Sequence, residues 1–230
     1  MVSDSPAIRR DTALSIRGPQ ELGGLAIWPA FGETMHMGVS IRTHLWVWWA
    51  RIAIEQERNA RRSRSAAVLL TINGDGFGEH LHAETLASMI GITACSHSLD
   101  ALYGSIRDTT SPVKAEKRWS HILESIKGAF VINGSAGGGR WATELEWLFD
   151  LRDAAVHYAE AQNPPVPHPT GTSTGKESVY YSLEPTRRAV DLLIDVLSTC
   201  VSNPRPTRTE WAARMRPSVD ALVTFRKSTD

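Results

Sequence analysis

Arg152, Asp153 and His157 stand close together in Leu145-Glu-Trp-Leu-Phe-Asp-Leu-Arg-Asp-Ala-Ala-Val-His-Tyr158. A guanidinium, a carboxylate and an imidazole are the groups that metal-independent RNA cleavage needs. An imidazole moves protons near neutral pH, and a fixed guanidinium stabilises charge building on a phosphorane. On an α-helix Asp153 and His157 are four apart and share a face. The carboxylate can then bond one imidazole nitrogen, fix its tautomer and raise its basicity. Arg152 lies roughly 140° from His157 at about 100° per residue. It must lean around the helix, or act with an Arg–His set from a second copy. The competing reading of the same residues is a surface salt-bridge cluster.

An apolar run must carry these groups. The spacing of Trp141, Leu145, Leu148, Leu151 and Ala155 predicts a helix over 140–160 with that stripe inward. Asn163-Pro-Pro-Val-Pro-His-Pro169 ends it, because proline cannot continue a helix. His168 in that loop is a second candidate for lining the cleft; the alternative is a plain loop histidine. Ahead of the helix, Asn133-Gly-Ser-Ala-Gly-Gly-Gly139 lacks a following Gly-Lys-Ser/Thr and reads as a helix-to-helix connection.

The longest periodic stretch is 79–107, a central buried helix with Leu81, Leu86, Ile90, Ala94, Leu99, Leu102 and Ile106 on one face. Ala83, Ala87, Ser88, Gly91, Ala94 and Ser98 are small and permit close helix approach. Glu79, His80, His82 and Glu84 invite a metal reading that lacks a fixed third ligand; acids also suit a helix N-terminus. His97 reads as a hydrogen-bonded core or interface histidine. A helix over 40–62 places Leu45, Trp48, Trp49, Ile52 and Ala53 inward. The cluster Trp46, Trp48 and Trp49 reads as core rather than as a base-stacking platform. Its tail carries Arg58, Arg61, Arg62 and Arg64, either a solvated helix end or a phosphate-contacting patch; Arg58, Arg61 and Arg62 are the candidate RNA contacts. Residues 66–72 fit a strand or a helix end, closed by a turn at 73–76. Further helices are expected over 113–130, 184–201 and 209–226, the last interrupted or restarted at Pro217. Residues 1–40 form an irregular arm with short β-like pieces at 13–16, 25–28 and 36–41.

The expected fold class is mainly α: a bundle of about five helices over 41–230 behind that arm. Lysine plus arginine total 25 and aspartate plus glutamate 25, so any nucleic-acid binding rests on a local patch. Cys95 and Cys200 sit in apolar helical runs and read as small core residues, without disulfide or zinc spacing. The apolar run at 45–50 is far shorter than the roughly 20 residues needed to span a bilayer. The polar start Met-Val-Ser-Asp-Ser-Pro, with no apolar run after it, leads to the expectation of no signal peptide. A soluble, cytoplasmic protein with no cofactor and no membrane partner is expected.

Arg152-Asp153-Ala-Ala-Val-His157 resembles the Arg-polar-x-x-x-His signature of the HEPN superfamily, after an apolar lead-in and before a proline-rich loop. The segment Ala94-Cys-Ser-His-Ser-Leu-Asp-Ala-Leu-Tyr103 is similar to the central helix of such domains. The resemblance covers about 79–201. It implies a helical bundle that homodimerises, with two motif helices facing each other across one composite cleft. It also implies a metal-independent endoribonuclease of the kind used as a toxin or in phage defence, leaving 2′,3′-cyclic phosphate ends. Arg152 would hold the scissile phosphate. His157 would act as general base or acid, and Asp153 would orient the catalytic groups. Implied partners are RNA and an antitoxin or other partner protein. The superfamily's non-catalytic members imply an alternative: a dimer that binds nucleotide, RNA or a protein. The toxin subgroup paired with nucleotidyltransferases carries Tyr two residues after the His; here Tyr158 follows directly and Ala159 fills that slot.

Overall fold

One buried stripe, headed by a tryptophan and otherwise built mostly of alanines, organises the first long helix. Trp46, Ala50, Ala53, Ala60 and Ala67 fall three, four or seven apart and are buried. They line one stripe of α1, Leu45–Leu69. In the computed structural model, residues 26–28, 36–38, 44–70, 74–107, 117–132, 134–156 and 164–228 are described.

The chain divides into two compact units, 1–43 and 44–230. In the first, β1 (Ala26–Trp28) pairs antiparallel with β2 (His36–Gly38), Ala26 opposite Gly38 and Trp28 opposite His36. The β-like piece expected at 13–16 lies outside the described residues.

The second unit is a mainly α bundle. After α1 come α2 (Phe77–Ile106), α3 (Arg118–Ala129) and α4 (Gly134–Val156). A hairpin of β3 (Val166–Pro167) and β4 (Ser173–Thr174) follows. Then come a short α5 (Lys176–Tyr180), α6 (Leu183–Ser202), a 3-10 turn at Pro206–Arg208 and α7 (Thr209–Lys227). The main core joins all the long helices, with Leu99, Leu102, Ile126, Leu145, Leu148 and Leu193 fully buried in it. No helix among the described residues is long and apolar enough to cross a membrane.

α2 approaches its neighbours at its small residues. A Cβ added to Gly91 would sit 2.9 Å from Thr186 Cγ2 on α6 and 3.3 Å from Gln56 Cβ on α1. Only the lack of a side chain lets three helices meet there. Ser98 Oγ donates to the Trp46 carbonyl at 2.8 Å, a second tie between α1 and α2.

Several expectations are corrected. The glycine-rich 134–139 is the first turn and a half of α4, not a connection. Each glycine costs about 1 kcal/mol relative to alanine in a helix, and the buried α4 stripe behind them overrides that penalty. The ambiguous 66–72 continues α1 as helix through Leu69. Pro217 lies inside an unbroken α7. Leu45, Trp48 and Trp49 face outward while Trp46 is buried, so the α1 stripe is offset by one residue from the expected one. On α2, Leu86 and Ile90 are exposed, because small residues rather than aliphatics make the buried face of that helix's first half. Cys95 and Cys200 are buried core residues, and burial pushes both thiols well up.

Candidate functional site around Arg152

α4 brings Arg152 to its C-terminal end, with its guanidinium 4.7 Å from the centroid of the Phe149 ring one turn earlier. That stacking leaves the edges of the guanidinium for polar partners. Asp153 takes one edge through Oδ1, 2.9 Å from Nε and 2.5 Å from Nη2. Asp100 of α2 lies across the other edge, with Oδ2 3.5 Å from Nη1. Arg152 is 20% exposed and Asp100 22%, so both sit at the rim of the helix packing rather than on open surface.

Asp100 serves a second arginine. Arg118 at the start of α3 donates from Nε to Asp100 Oδ1 at 2.5 Å and stacks 4.5 Å from the Tyr103 ring centroid. One α2 carboxylate therefore bridges a guanidinium from α3 and one from α4. The end of α4 is pinned from elsewhere too: Tyr181 Oη donates to the Leu151 carbonyl at 2.9 Å. Burial, then the Glu177 carboxylate, raises the Tyr181 phenol, which keeps that donor protonated.

Of the expected triad, Arg152 and Asp153 are together. His157 lies outside the described residues, as do residues 158–163. Asp153 reaches Arg152, so its partner here is the neighbouring guanidinium. Asp100 and Arg118 were not singled out in the sequence. The one available signal was that Asp100 falls in the α2 segment Ala94–Tyr103 similar to a HEPN central helix; Arg118 offered none. His97, on the same helix, stacks on Trp49 with ring centroids 4.9 Å apart. A cleft of about 540 Å³ runs along α4 beside Trp147, Leu151, Ala154, Tyr180 and Pro185; Arg152 and Asp153 do not line it.

His168 is not a plain loop histidine. It is 3% exposed in the turn between β3 and β4. Its Nδ1 accepts from the Thr170 backbone N–H at 3.2 Å, which places the ring proton on Nε2. Nε2 itself is buried without a hydrogen-bond partner. Burial, then the nearby Arg64 guanidinium, lowers the imidazole pKa against the opposing pull of Glu84, Glu184 and the Ser178 backbone. Its surroundings are a buried ion cluster, not the α4 rim. Arg64 forks onto Glu84 of α2, at 2.8 and 2.5 Å, and onto Glu184 of α6, at 2.9 and 3.1 Å. Glu84 Oε1 also accepts the Leu183 N–H at 2.9 Å. Arg64 is thus no solvated helix end, and Glu84, fully buried, is committed to it rather than to a metal grouping with Glu79, His80 and His82.

The α1 basic tail divides. Arg58 donates to the Phe225 carbonyl and lies 3.7 Å from that ring's centroid, so it braces α7. Arg61 leans on buried Glu57 at 3.3 Å. Arg62 is exposed. Among the described residues, none of the three shares a hydrogen-bonded set with the Arg152 rim.

No family model, curated protein or solved structure matches the chain.

Proposed function

We propose that this chain is a HEPN-like metal-independent endoribonuclease in which Arg152 holds the scissile phosphate. The observation that carries the reading is the fixed Arg152 guanidinium. It is stacked on Phe149 and braced by Asp100 and Asp153, on the helix whose sequence continues to His157. A guanidinium oriented in advance stabilises developing phosphorane charge without reorganising. Phosphate oxygens replace the carboxylate contacts as RNA enters. His157 removes the 2′-hydroxyl proton, the 2′-oxygen bonds to phosphorus, and the 5′-oxygen leaves with a proton from the second imidazole of a homodimer. The product is a 2′,3′-cyclic phosphate.

The test is incubation with total RNA in EDTA beside Arg152→Ala and His157→Ala. Each variant is expected to lose about 100-fold or more of the cleavage rate, the usual contribution of one positioned proton-transfer or charge-stabilising group. Equal cleavage in all three sinks the reading. Sedimentation must also show a dimer at assay concentrations; a strict monomer removes the composite cleft.

One observation favours a second reading, a non-catalytic dimer that binds nucleotide, RNA or a protein. Asp100 and Asp153 both pair with Arg152, so its charge is already offset. Saturable RNA binding without any EDTA-resistant cleavage selects that reading.

A further inference from the structure

Three helices send charged side chains into a cleft that Arg152 does not touch. It holds about 470 Å³ between α1, α6 and α7, with Ile194 and Val223 among its walls. Glu57 of α1 lies in it, 2% exposed. The Glu57 carboxylate accepts from Arg61 at 3.3 Å and from Arg226 of α7 at 3.2 and 3.4 Å. Asp191 of α6 takes the remaining edge of Arg226 at 2.7 Å.

Arg61 and Arg226 thus engage the two acids at hydrogen-bond distance, and two further cations of the cleft do not. Arg187 of α6 reaches Glu57 only at 3.8 Å and keeps 51% of its side chain exposed. Lys227, at the end of α7 and exposed, forms no ion pair among the described residues. A concave site whose carboxylates are already paired, and which still presents an arginine and a lysine, selects an anion over a metal cation. A guanidinium fork matches the oxygens of a phosphate, and lysine adds a point charge. The volume falls in the range of small-molecule sites, and Ile194 and Val223 offer an apolar surface to the rest of such a ligand.

We propose that this cleft binds the phosphate group of a nucleotide-sized ligand. Arg187 and Lys227 contact the phosphate, and buried Glu57 holds Arg61 and Arg226 in place around it. The site is independent of the ribonuclease reading.

Calorimetric titration of the full chain at low salt tests this with three probes: 5′-AMP, inorganic phosphate and adenosine. Saturable 5′-AMP binding is expected, weakened by added salt and reduced about tenfold or more in Arg187→Gln/Lys227→Gln, the loss of charge-assisted bonds to one anion. Both positions are exposed, so the thermal midpoint should hold. Competition by inorganic phosphate shows that the phosphate alone is read. Failure of inorganic phosphate to compete, with 5′-AMP still bound, shows that the apolar wall contributes. Either supports the site. Absence of saturable 5′-AMP binding, equal binding of adenosine, or full binding in the double variant overturns it. Loss of binding in Arg152→Ala but not in the double variant assigns the ligand to the α4 rim instead.

Discussion

Asp100 holds two arginines at once, and that arrangement makes a measurable distinction. If it positions Arg152, Asp100→Asn should lower EDTA-resistant cleavage by about tenfold or more, since small misplacements of a catalytic group cost that much. The thermal midpoint should move little, because solvent reaches the Arg118–Asp100 pair at the rim and such pairs contribute about 0.2–1 kcal/mol. A fall in midpoint matching the fall in rate would make Asp100 structural. His168 gives a pH prediction. Its imidazole titrates below its ordinary 6.5 in the fold, from burial first and Arg64 second. The unfolded chain therefore binds the proton more readily. The stability tied to neutral His168 is complete above pH 6.5 and is lost as pH falls through the folded value. Glu184 is also lowered: burial opposes this, but Arg64 outweighs it, so its contribution is lost only below its ordinary 4.5. Thermal melts from pH 7.5 to 5 should show a decline in the parent that is shallower in His168→Asn. Parallel curves would exclude His168 as the source.

Among the helices, α2 shows how small residues set geometry. Gly91→Ala would push a Cβ to 2.9 Å from Thr186 Cγ2, whereas Gly104, with nothing within 4 Å, stands open. Gly104→Ala should stabilise by about 0.5–1 kcal/mol through helix propensity alone. Gly91→Ala gains the same propensity but meets overpacking worth about 1–3 kcal/mol, so it should be neutral to destabilising, and Gly91→Val clearly destabilising. Urea unfolding of the three variants decides this; equal stabilisation by both alanines would show that α1, α2 and α6 have room at Gly91. The helical periods of α4, α6 and the second half of α2 were legible in the sequence because long apolar repeats bury one face. The phase of α1 was not. Trp46, Trp48 and Trp49 are equally apolar, and only packing against α2 selects Trp46 for the core. The glycine-rich start of α4 was misread for a related reason: local propensity disfavours helix there, and burial of Trp141 and Leu145 overrides it.

Across the bundle, Arg64 joins α1 to α2 and α6 through a single side chain. Arg64→Met would leave Glu84 buried and unpaired, at a cost of about 3–5 kcal/mol. Arg64→Met with Glu84→Gln removes both charges, and should recover part of that loss. Chemical denaturation of the single and double variants measures it; a double variant as unstable as the sum of its parts would show that the two residues do not act as a pair.

The sequence by itself determined a mainly α chain, the presence of its long helices and the nearness of Arg152 to Asp153. Those properties follow from periodicity and from neighbours along one helix. It did not determine that Asp100 joins Arg152 to Arg118, that Arg64 and Glu84 are buried partners, or that Glu57 meets Arg226 of α7. Such pairings join residues 18 to 169 positions apart. A charged residue carries no mark of which distant charge it will meet, so only the packing of the helices decided them.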